Sequence, residues 1–537
     1  MRNRSGSQER GKVSEFSQYT AGVSLRGWRI QWTPALAAAA GGLILALAFP
    51  RPDLAPLAWI ALIPLIRGVI GTRFRTGFGR GAIFGLCFFG VLLYWTIPAL
   101  HSHGELPWVA SLVVFVLLTG YLSLFPATFG FLLAVLSRKS PEIALLGVPF
   151  LWTALEWIRA HLFTGFPWGL LGYTLHEFPA LIQDASWSGV YGISFLIAGS
   201  NALLAASTAR RGKWRWFFPV AALAIPLVIG LVGAWRIPEA AKVTLRIAAV
   251  QGNILQDEKW DPQIREKIID DYLGLTREAI RAGVSMVVWP ESSLPVAVAP
   301  ALSGIRSGDP VRGRLEAAMR GSGTALLVGA VEYGSREGVP VVTNTAQFLP
   351  SSGDWAAPYE KVHLVPFVEY IPLKKGLFFL DRLVQGVIAD FVPGDGPVLH
   401  RAGGIPFATL ICYEMVFPHL VRDSNNAGAR FLVNITNDGW FGRTSAPYQH
   451  FAMSAFRAVE NRRWVVRVAN TGISGFIDPY GRVQQKTDIM RKELLVGGVV
   501  PRDDRTPYSR FGDWFAGLCG MISVGLLIWV TLFRFKR

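Results

Sequence analysis

The sequence predicts two kinds of structure in one chain: a bundle of transmembrane α-helices and, inserted before its last helix, a water-facing α/β domain. Three observations carry this. Of 537 residues, 51% are hydrophobic and only 17% charged, against about 25% charge in ordinary globular domains. Eight apolar runs approach the roughly 20 residues that a spanning helix needs, at about 34–50, 54–71, 78–100, 108–136, 143–159, 187–208, 215–235 and 514–533. Between the seventh and eighth the character changes: "LRIAAVQGNI", "SMVVWPES", "ALLVGAVEY" and "FLVNIT" read as buried strands. They alternate with helical segments such as "QIREKIIDDYLGLTREAIRAG", the alternation expected of an α/β domain.

Taken in order, residues 1–30 form a tail whose first 26 residues are polar and rich in Ser, Arg and Gly, a composition that does not build a core. Residues 31–239 form a membrane domain of seven spans, 240–512 the α/β domain, and 513–537 the eighth span with a short basic tail. The basic leader, the apolar run at 34–48 and "ALA" at 46–48 imitate a cleavable signal peptide. The leader's length and the spans that follow favour an uncleaved first span.

Orientation follows from lysine and arginine near the span ends. The N-terminal tail, the connections carrying Arg73, Arg75 and Arg80 and then Arg138 and Lys139, the segment "ARRGKWR" and the terminal "RFKR" are basic. The alternate connections, "FPRPD", "HSHGELP" and the region 160–186, are poorer in base. Both termini are thus expected in the cytoplasm and 240–512 on the outer side. A net charge of +16 is then largely topological, and nucleic acid is not an expected partner. A transporter or receptor would place ionisable groups deep in several spans. These spans are nearly free of them, and Glu156 and Arg159 read as a local pair or a headgroup contact near one outer end.

Three cysteines make no disulfide framework. Cys87 and Cys519 fall inside apolar runs and read as membrane-core residues, whereas Cys412 does not. There is no Gly-rich phosphate loop in a strand–helix context and no Cys/His spacing that suits zinc. The two histidines of "HSHGE" read as interfacial polar residues, so neither metal nor cofactor is expected.

The chemistry lies at strand ends, the usual place for functional groups in α/β folds. "MVVWPESSLP" presents Glu291 where an apolar strand stops, "YEKVHLVPFVEYIP" holds Lys361 and Glu369, and "ATLICYEMVF" presents Cys412. Each alone has an ordinary reading: a capping carboxylate, a solvated lysine, a core cysteine. Together they complement one another. A thiol needs a base to become a nucleophile, an ammonium can stabilise the oxyanion formed at an attacked carbonyl, and the N–H of Tyr413 offers a second donor.

Glu, Lys and Cys in that order resemble the nitrilase superfamily, whose fold is an α-β-β-α sandwich. "WPESSLP", "YEKVHLVPFVEYIP", "ICYEMVFP", "NITNDGWFG", "RVANTGISGFIDPYGRV" and, in the membrane half, "EWIRAHLFTGFPWGLLGY" resemble the apolipoprotein N-acyltransferases, membrane-embedded relatives that act in bacterial lipoprotein maturation. The resemblance covers the chain after about residue 30. It implies Glu291 as general base, Lys361 as oxyanion donor and Cys412 as nucleophile. It implies supporting roles for Glu369, Tyr413, Glu414, Trp260 and Trp440. Val368 stands where the family often has Gly, which touches only loop detail.

The resemblance further implies acyl transfer from a phospholipid, usually phosphatidylethanolamine, through a Cys412 thioester to the α-amine of a diacylglyceryl-cysteine at an apolipoprotein's N-terminus. It implies a monomer in the bacterial inner membrane with its catalytic domain in the periplasm. Residues 371–392, rich in Leu, Phe, Val and Ile, are expected to form an apolar arm that dips toward lipid and gates the site. A membrane-anchored amidase of nitrilase type is the alternative, for which eight spans are excessive.

Overall fold

The computed structural model describes residues 33–207, 214–239, 242–294, 310–336, 339–370 and 391–532, apart from positions 103, 105, 257, 260, 262 and 367, together with residues 24–25 and 28–29. Trp260 and most of the stretch expected as a gating arm (371–390) lie outside the described residues.

Apolar helices stand where the sequence places them, but not all are full spans. Helices α1 (Pro34–Leu47), α2 (Ile63–Val69), α3 (Phe74–Leu92), α4 (Thr96–Ser102), α5 (Trp108–Ser137), α6 (Pro141–His161), α7 (Ala185–Ser207) and α8 (Trp214–Arg236) precede residue 240. Together with α14 (Trp514–Leu532), five of these, α5 to α8 and α14, are long and apolar enough to cross a membrane singly. A sixth span would be α3 with α4, which meet at a bend of 49°. The helix α1 has 14 residues, about 21 Å at 1.5 Å per residue, and is capped by Thr33 with Pro34 in its first turn. Pro50, Pro52 and Pro56 stop it before α2 begins.

Lipid-facing and buried helices are distinguishable by their side chains. Val109, Val116 and Leu117 on α5, Val220, Leu223 and Leu231 on α8, and Met521 and Leu532 on α14 are exposed large apolar groups. Such contiguous apolar surface is stable only against lipid or a partner. The helices α6 and α7 are instead mostly buried. Close approach replaces hydrophobic driving force inside the bundle. A Cβ on Gly77 of α3 would lie 2.3 Å from the Gly130 carbonyl oxygen of α5, and one on Gly81 would lie 2.0 Å from that of Pro126.

The α/β domain is built from two six-stranded sheets. The first contains β1 (Leu245–Gln251), β2 (Met286–Val288), β3 (Ala325–Arg336), β4 (Val339–Leu349), β5 (Tyr359–Glu360) and β12 (Glu493–Val499), in the order β12-β1-β2-β3-β4-β5. The second contains β6 (Leu399–Ala402), β7 (Ile405–Ile411), β8 (Leu432–Thr436), β9 (Val465–Ala469), β10 (Gly475–Ile477) and β11 (Val483–Lys486), in the order β11-β10-β9-β8-β7-β6. In each sheet three central strands run parallel (β1, β2 and β3; β7, β8 and β9) and antiparallel strands flank them.

Period-two alternation assigns the faces. Leu245, Ile247 and Ala249 of β1 join Val433, Ile435, Val466 and Val468 in the core between the sheets. Ala248 and Val250 face outward onto α9 (Arg265–Arg281) and α10 (Pro310–Met319), through Ile269, Leu273 and Leu315. On the other side, Ala408, Leu410 and Leu432 pack under α11 (Pro418–Asn426) and α12 (Ala446–Asn461). The result is an α-β-β-α sandwich. Its α12 layer shares one continuous core with the membrane helices, including Tyr173, Val190 and Ile193.

Candidate active site

The site lies where strands leave the two sheets. Glu291 follows β2, and the chain turns at once, since Ser292 has φ +46°. Gly329 on the neighbouring β3 permits this turn: a Cβ there would lie 2.4 Å from the Pro290 carbonyl oxygen and 2.6 Å from the Glu291 Cα. Cys412 follows β7 directly and has φ +53°, the left-handed region where a residue with a side chain is strained by about 1–3 kcal/mol. A tight turn over Cys412–Val416 continues it. Lys361 follows β5, its N–H donating to the Asn344 carbonyl of β4 (2.8 Å).

The structure brings Glu291, Lys361 and Glu369 into direct contact. The Lys361 ammonium, 1% exposed, lies 2.9 Å from Glu369 Oε1 and 3.5 Å from Glu291 Oε1. Asn344 Nδ2 donates to the same two oxygens, at 2.8 Å to Glu291 and 3.1 Å to Glu369. The remaining oxygens accept backbone N–H groups, Glu291 Oε2 from Asn437 (2.8 Å) and Glu369 Oε2 from Val365 (2.8 Å). Burial alone would pull the Lys361 ammonium down, but Glu369, Glu291 and Cys412 together hold it above the ordinary lysine value. It is held as a cation at neutral pH.

Burial pushes the Cys412 thiol up; Glu291 adds to the rise, while Lys361 and the Thr436 hydroxyl oppose it. The resting sulfur is a neutral thiol, and its activation needs a base. The Cys412 carbonyl accepts from His450 Nε2 (3.2 Å) and from Asn434 Nδ2 (3.4 Å). His450 Nδ1 lies 3.0 Å from Asp438 Oδ1 and 2.9 Å from the Arg467 guanidinium, which donates to Asn434 Oδ1 (2.5 Å) and Asp438 Oδ2 (3.0 Å). Burial works against an ionised Asp438, yet Arg467 and His450 hold its carboxyl down at about 2. A buried ionic network thus braces the strained residue that carries the sulfur.

Glu414 acts as a staple. Its two oxygens accept from Val362 N (2.6 Å), His363 N (3.1 Å), Ile411 N (2.6 Å) and the Tyr359 hydroxyl (2.8 Å). One buried carboxylate therefore fixes the Lys361 loop relative to the Cys412 turn. Tyr413 packs edge-on against Phe417, their ring centroids 4.9 Å apart. Trp440 sits half-buried on the turn Asp438–Phe441, which also carries Asp438 of the His450 network.

The membrane half reaches this site through α12. Gln449, one residue before His450, accepts from the indoles of Trp95 (3.2 Å) and Trp168 (2.8 Å) and donates to the carbonyls of Pro50 (3.0 Å) and Leu92 (3.3 Å). The Trp168 ring also packs on His450. The loop that carries Trp168 is pinned by Glu156, which accepts from Leu171 N (2.7 Å), and by Arg159, which donates to the Phe166, Trp168 and Gly169 carbonyls (3.2, 2.5 and 3.2 Å). These two residues are buried. They attract each other, as the local pair read from the sequence, and together they anchor the loop that carries Trp168.

Cys87 is half-buried on α3 and Cys519 buried on α14, as expected of membrane-core thiols. His101 Nδ1 meets the Leu106 carbonyl (2.8 Å), and His103 lies outside the described residues. The residues that sequence reasoning missed are Asn344, His450, Arg467 and Lys259. Lys259 is buried, with its ammonium on the Glu291 carbonyl oxygen (3.3 Å).

Two family models match the chain: the apolipoprotein N-acyltransferase N-terminal domain over residues 41–203, and carbon-nitrogen hydrolase over residues 246–503. Among relatives, an apolipoprotein N-acyltransferase of Geobacter metallireducens is 39% identical over 90% of this chain and 92% of its own. Those of Azotobacter vinelandii and Methylococcus capsulatus are 34% and 33% identical, over 94% and 91% of this chain and 96% and 94% of their own. Among solved structures, an amidase from Nesterenkonia sp. is 24% identical over 52% of this chain and 97% of its own, with a TM-score of 0.37.

Proposed function

The chain belongs to the apolipoprotein N-acyltransferase family, and from that premise we propose how its site works. It is an acyltransferase of nitrilase type that moves a fatty acyl chain from a phospholipid, through a cysteine thioester, to the N-terminal amine of apolipoproteins. In our reading Glu291 takes the proton of Cys412 Sγ as the sulfur attacks the sn-1 ester of a phospholipid, phosphatidylethanolamine being the donor class we favour. Lys361 and the Tyr413 N–H hold the oxyanion. As the intermediate collapses, the bond to the glycerol oxygen breaks, Glu291 returns the proton to that oxygen, and a lysophospholipid leaves. The α-amine of a diacylglyceryl-cysteine then attacks the thioester, its proton passes to Cys412 by way of Glu291, and the amide is released.

The observation that carries this reading is the Glu291–Lys361–Glu369 contact. A general base that must sit beside a thiol needs its own charge balanced. A lysine held between two carboxylates does that while keeping a cation in place for the oxyanion. Both substrates are lipids, and drawing an acyl chain out of the bilayer costs about 0.8 kcal/mol per CH₂, so the site should meet the leaflet. The Gln449–Trp168 tie to the membrane half supports that placement. From the basic connections we further read both termini as cytoplasmic and residues 240–512 as periplasmic; the working unit we take to be a monomer.

The test is mass spectrometry of the purified protein incubated with phosphatidylethanolamine. An acyl group on Cys412, absent in Cys412→Ala, is expected. Product formation without any such adduct would overturn the covalent route.

A further inference from the structure

The mechanism above leaves one buried ammonium unused. Lys259 is 3% exposed, on the loop that leaves β1, and that loop is fastened to the catalytic face. Asn253 N donates to the Asn470 carbonyl (2.9 Å), Ile254 N to Asn470 Oδ1 (2.9 Å), and Asn437 Nδ2 to Gln256 Oε1 (2.8 Å). Among the described residues the Lys259 ammonium makes one hydrogen bond, to the carbonyl oxygen of Glu291 itself (3.3 Å). Its other N–H groups have no partner among the described residues. A buried charge with a single neutral partner is costly unless opposite charge lies near.

That opposite charge is in the active site, as a charge count shows. Among the described residues Lys361 is the cation in contact with the carboxylates of Glu291 and Glu369, which leaves one net negative charge. Moving the proton from Cys412 Sγ to Glu291 does not change that sum, and neither does replacing the thiolate by the tetrahedral oxyanion. Asp438 is balanced by Arg467, and the Glu414 carboxylate, held by three backbone N–H groups and the Tyr359 hydroxyl, supplies no cation. One more cation would make the group of Glu291, Lys361, Glu369 and Cys412 neutral at every stage up to ester collapse.

We propose that Lys259 is this second cation, a positioning residue whose ammonium lowers the free energy of the Cys412 thiolate and of the oxyanion that replaces it. It forms no bond and keeps its protons throughout. The charges acting on Lys259 are those of Glu291 and Cys412, and those acting on Cys412 include Glu291, Lys361 and Asp438. Of the charged neighbours on its own loop, Glu258 is exposed and Asp261 half-exposed. Burial pulls the Lys259 ammonium down to about 8 against Glu291 and Cys412, so its help should fade above that pH. The inference rests on Cys412 being the nucleophile and Glu291 its base.

The experiment alkylates the full-length protein in detergent micelles free of phospholipid with iodoacetamide, between about pH 6 and about pH 10, and quantifies the Cys412 peptide by mass spectrometry. Wild type, Lys259→Met and Lys259→Arg are compared. Near pH 7 the Met variant should react about tenfold more slowly, the effect of losing one neighbouring charge, while the Arg variant stays close to wild type. The Met and wild-type rates should converge above about pH 9. Equal rates near pH 7 in a folded Met variant would overturn the proposal. A gap of constant size at every pH, with a lowered melting temperature in both variants, would overturn it in favour of a purely structural lysine. If phosphatidylethanolamine does not acylate wild-type Cys412 in parallel samples that have not been alkylated, the underlying reading of the site fails instead.

Discussion

Replacing Lys361 by Met tests two roles at once, and the structure separates them. The ammonium is buried and contacts Glu369 at 2.9 Å and Glu291 at 3.5 Å. Its removal leaves two buried carboxylates that share only Asn344. Breaking a buried pair in this way costs about 3–5 kcal/mol, and the site can relieve much of that by protonating one carboxylate. If Glu291 takes the proton, it can no longer act as base. Loss of a preorganised oxyanion donor costs a further 10²- to 10³-fold, roughly, and impaired general-base help costs about another tenfold to hundredfold. The acylation rate should therefore fall by about 10³ to 10⁵.

The double variant Lys361→Met/Glu369→Gln removes the excess negative charge but not the missing donor. It should regain most of the thermal stability while recovering at most the base's share of the rate. The assay is single-turnover formation of acyl-enzyme from phosphatidylethanolamine, with melting temperature measured on the same samples. A folded single variant that acylates within about tenfold of wild type would refute the reasoning. So would a double variant with full activity, since Lys361 would then serve only to balance Glu369.

Two further outcomes follow from the surrounding network. Glu414→Gln puts an NH₂ group where backbone N–H groups or the Tyr359 hydroxyl now donate. It should loosen the 360–366 loop and cut acylation about hundredfold or more, in line with the cost of an ångström-scale misplacement; amide exchange at Val362 and His363 checks the cause. Asp438, held at about 2 against an ordinary 3.8, has its folded-state value depressed, so its stabilisation is present above about pH 4 and is lost as pH falls toward 2. Asp438→Asn should abolish that part of the acid dependence and, by leaving Arg467 uncompensated, destabilise the protein by about 3–5 kcal/mol at neutral pH, read as melting temperature against pH.

How much of this the sequence disclosed depended on local pattern. Glu291 and Cys412 were visible because apolar strand-like runs end beside them, and both strands form as expected. Lys361 and Glu369 stand out by residue type only once paired with the cysteine. Asn344 lies inside the antiparallel strand β4, in "VVTNTAQFL", where a polar residue usually marks a solvent-facing position; nothing local says that it bridges two carboxylates. His450 sits on α12, a helix buried nearly throughout, and no sequence pattern reveals that its outer side is covered by membrane helices. Lys259 belongs to a loop whose burial depends on long-range contacts with Asn437 and Asn470. The short first helices follow from three prolines within "FPRPDLAP", whose effect on helix length outweighs an otherwise continuous hydropathy.

The central claim is that Cys412 carries the acyl chain between two lipid substrates, and the most direct measurement follows that chain. The protein is loaded with phosphatidylethanolamine bearing a labelled sn-1 chain, freed of excess lipid, and mixed with a diacylglyceryl-cysteine peptide. The account predicts a labelled Cys412 adduct that disappears at the rate at which label appears as an amide on the peptide's α-amine. An adduct that persists while labelled product accumulates, or transfer that continues in Cys412→Ala, would contradict it.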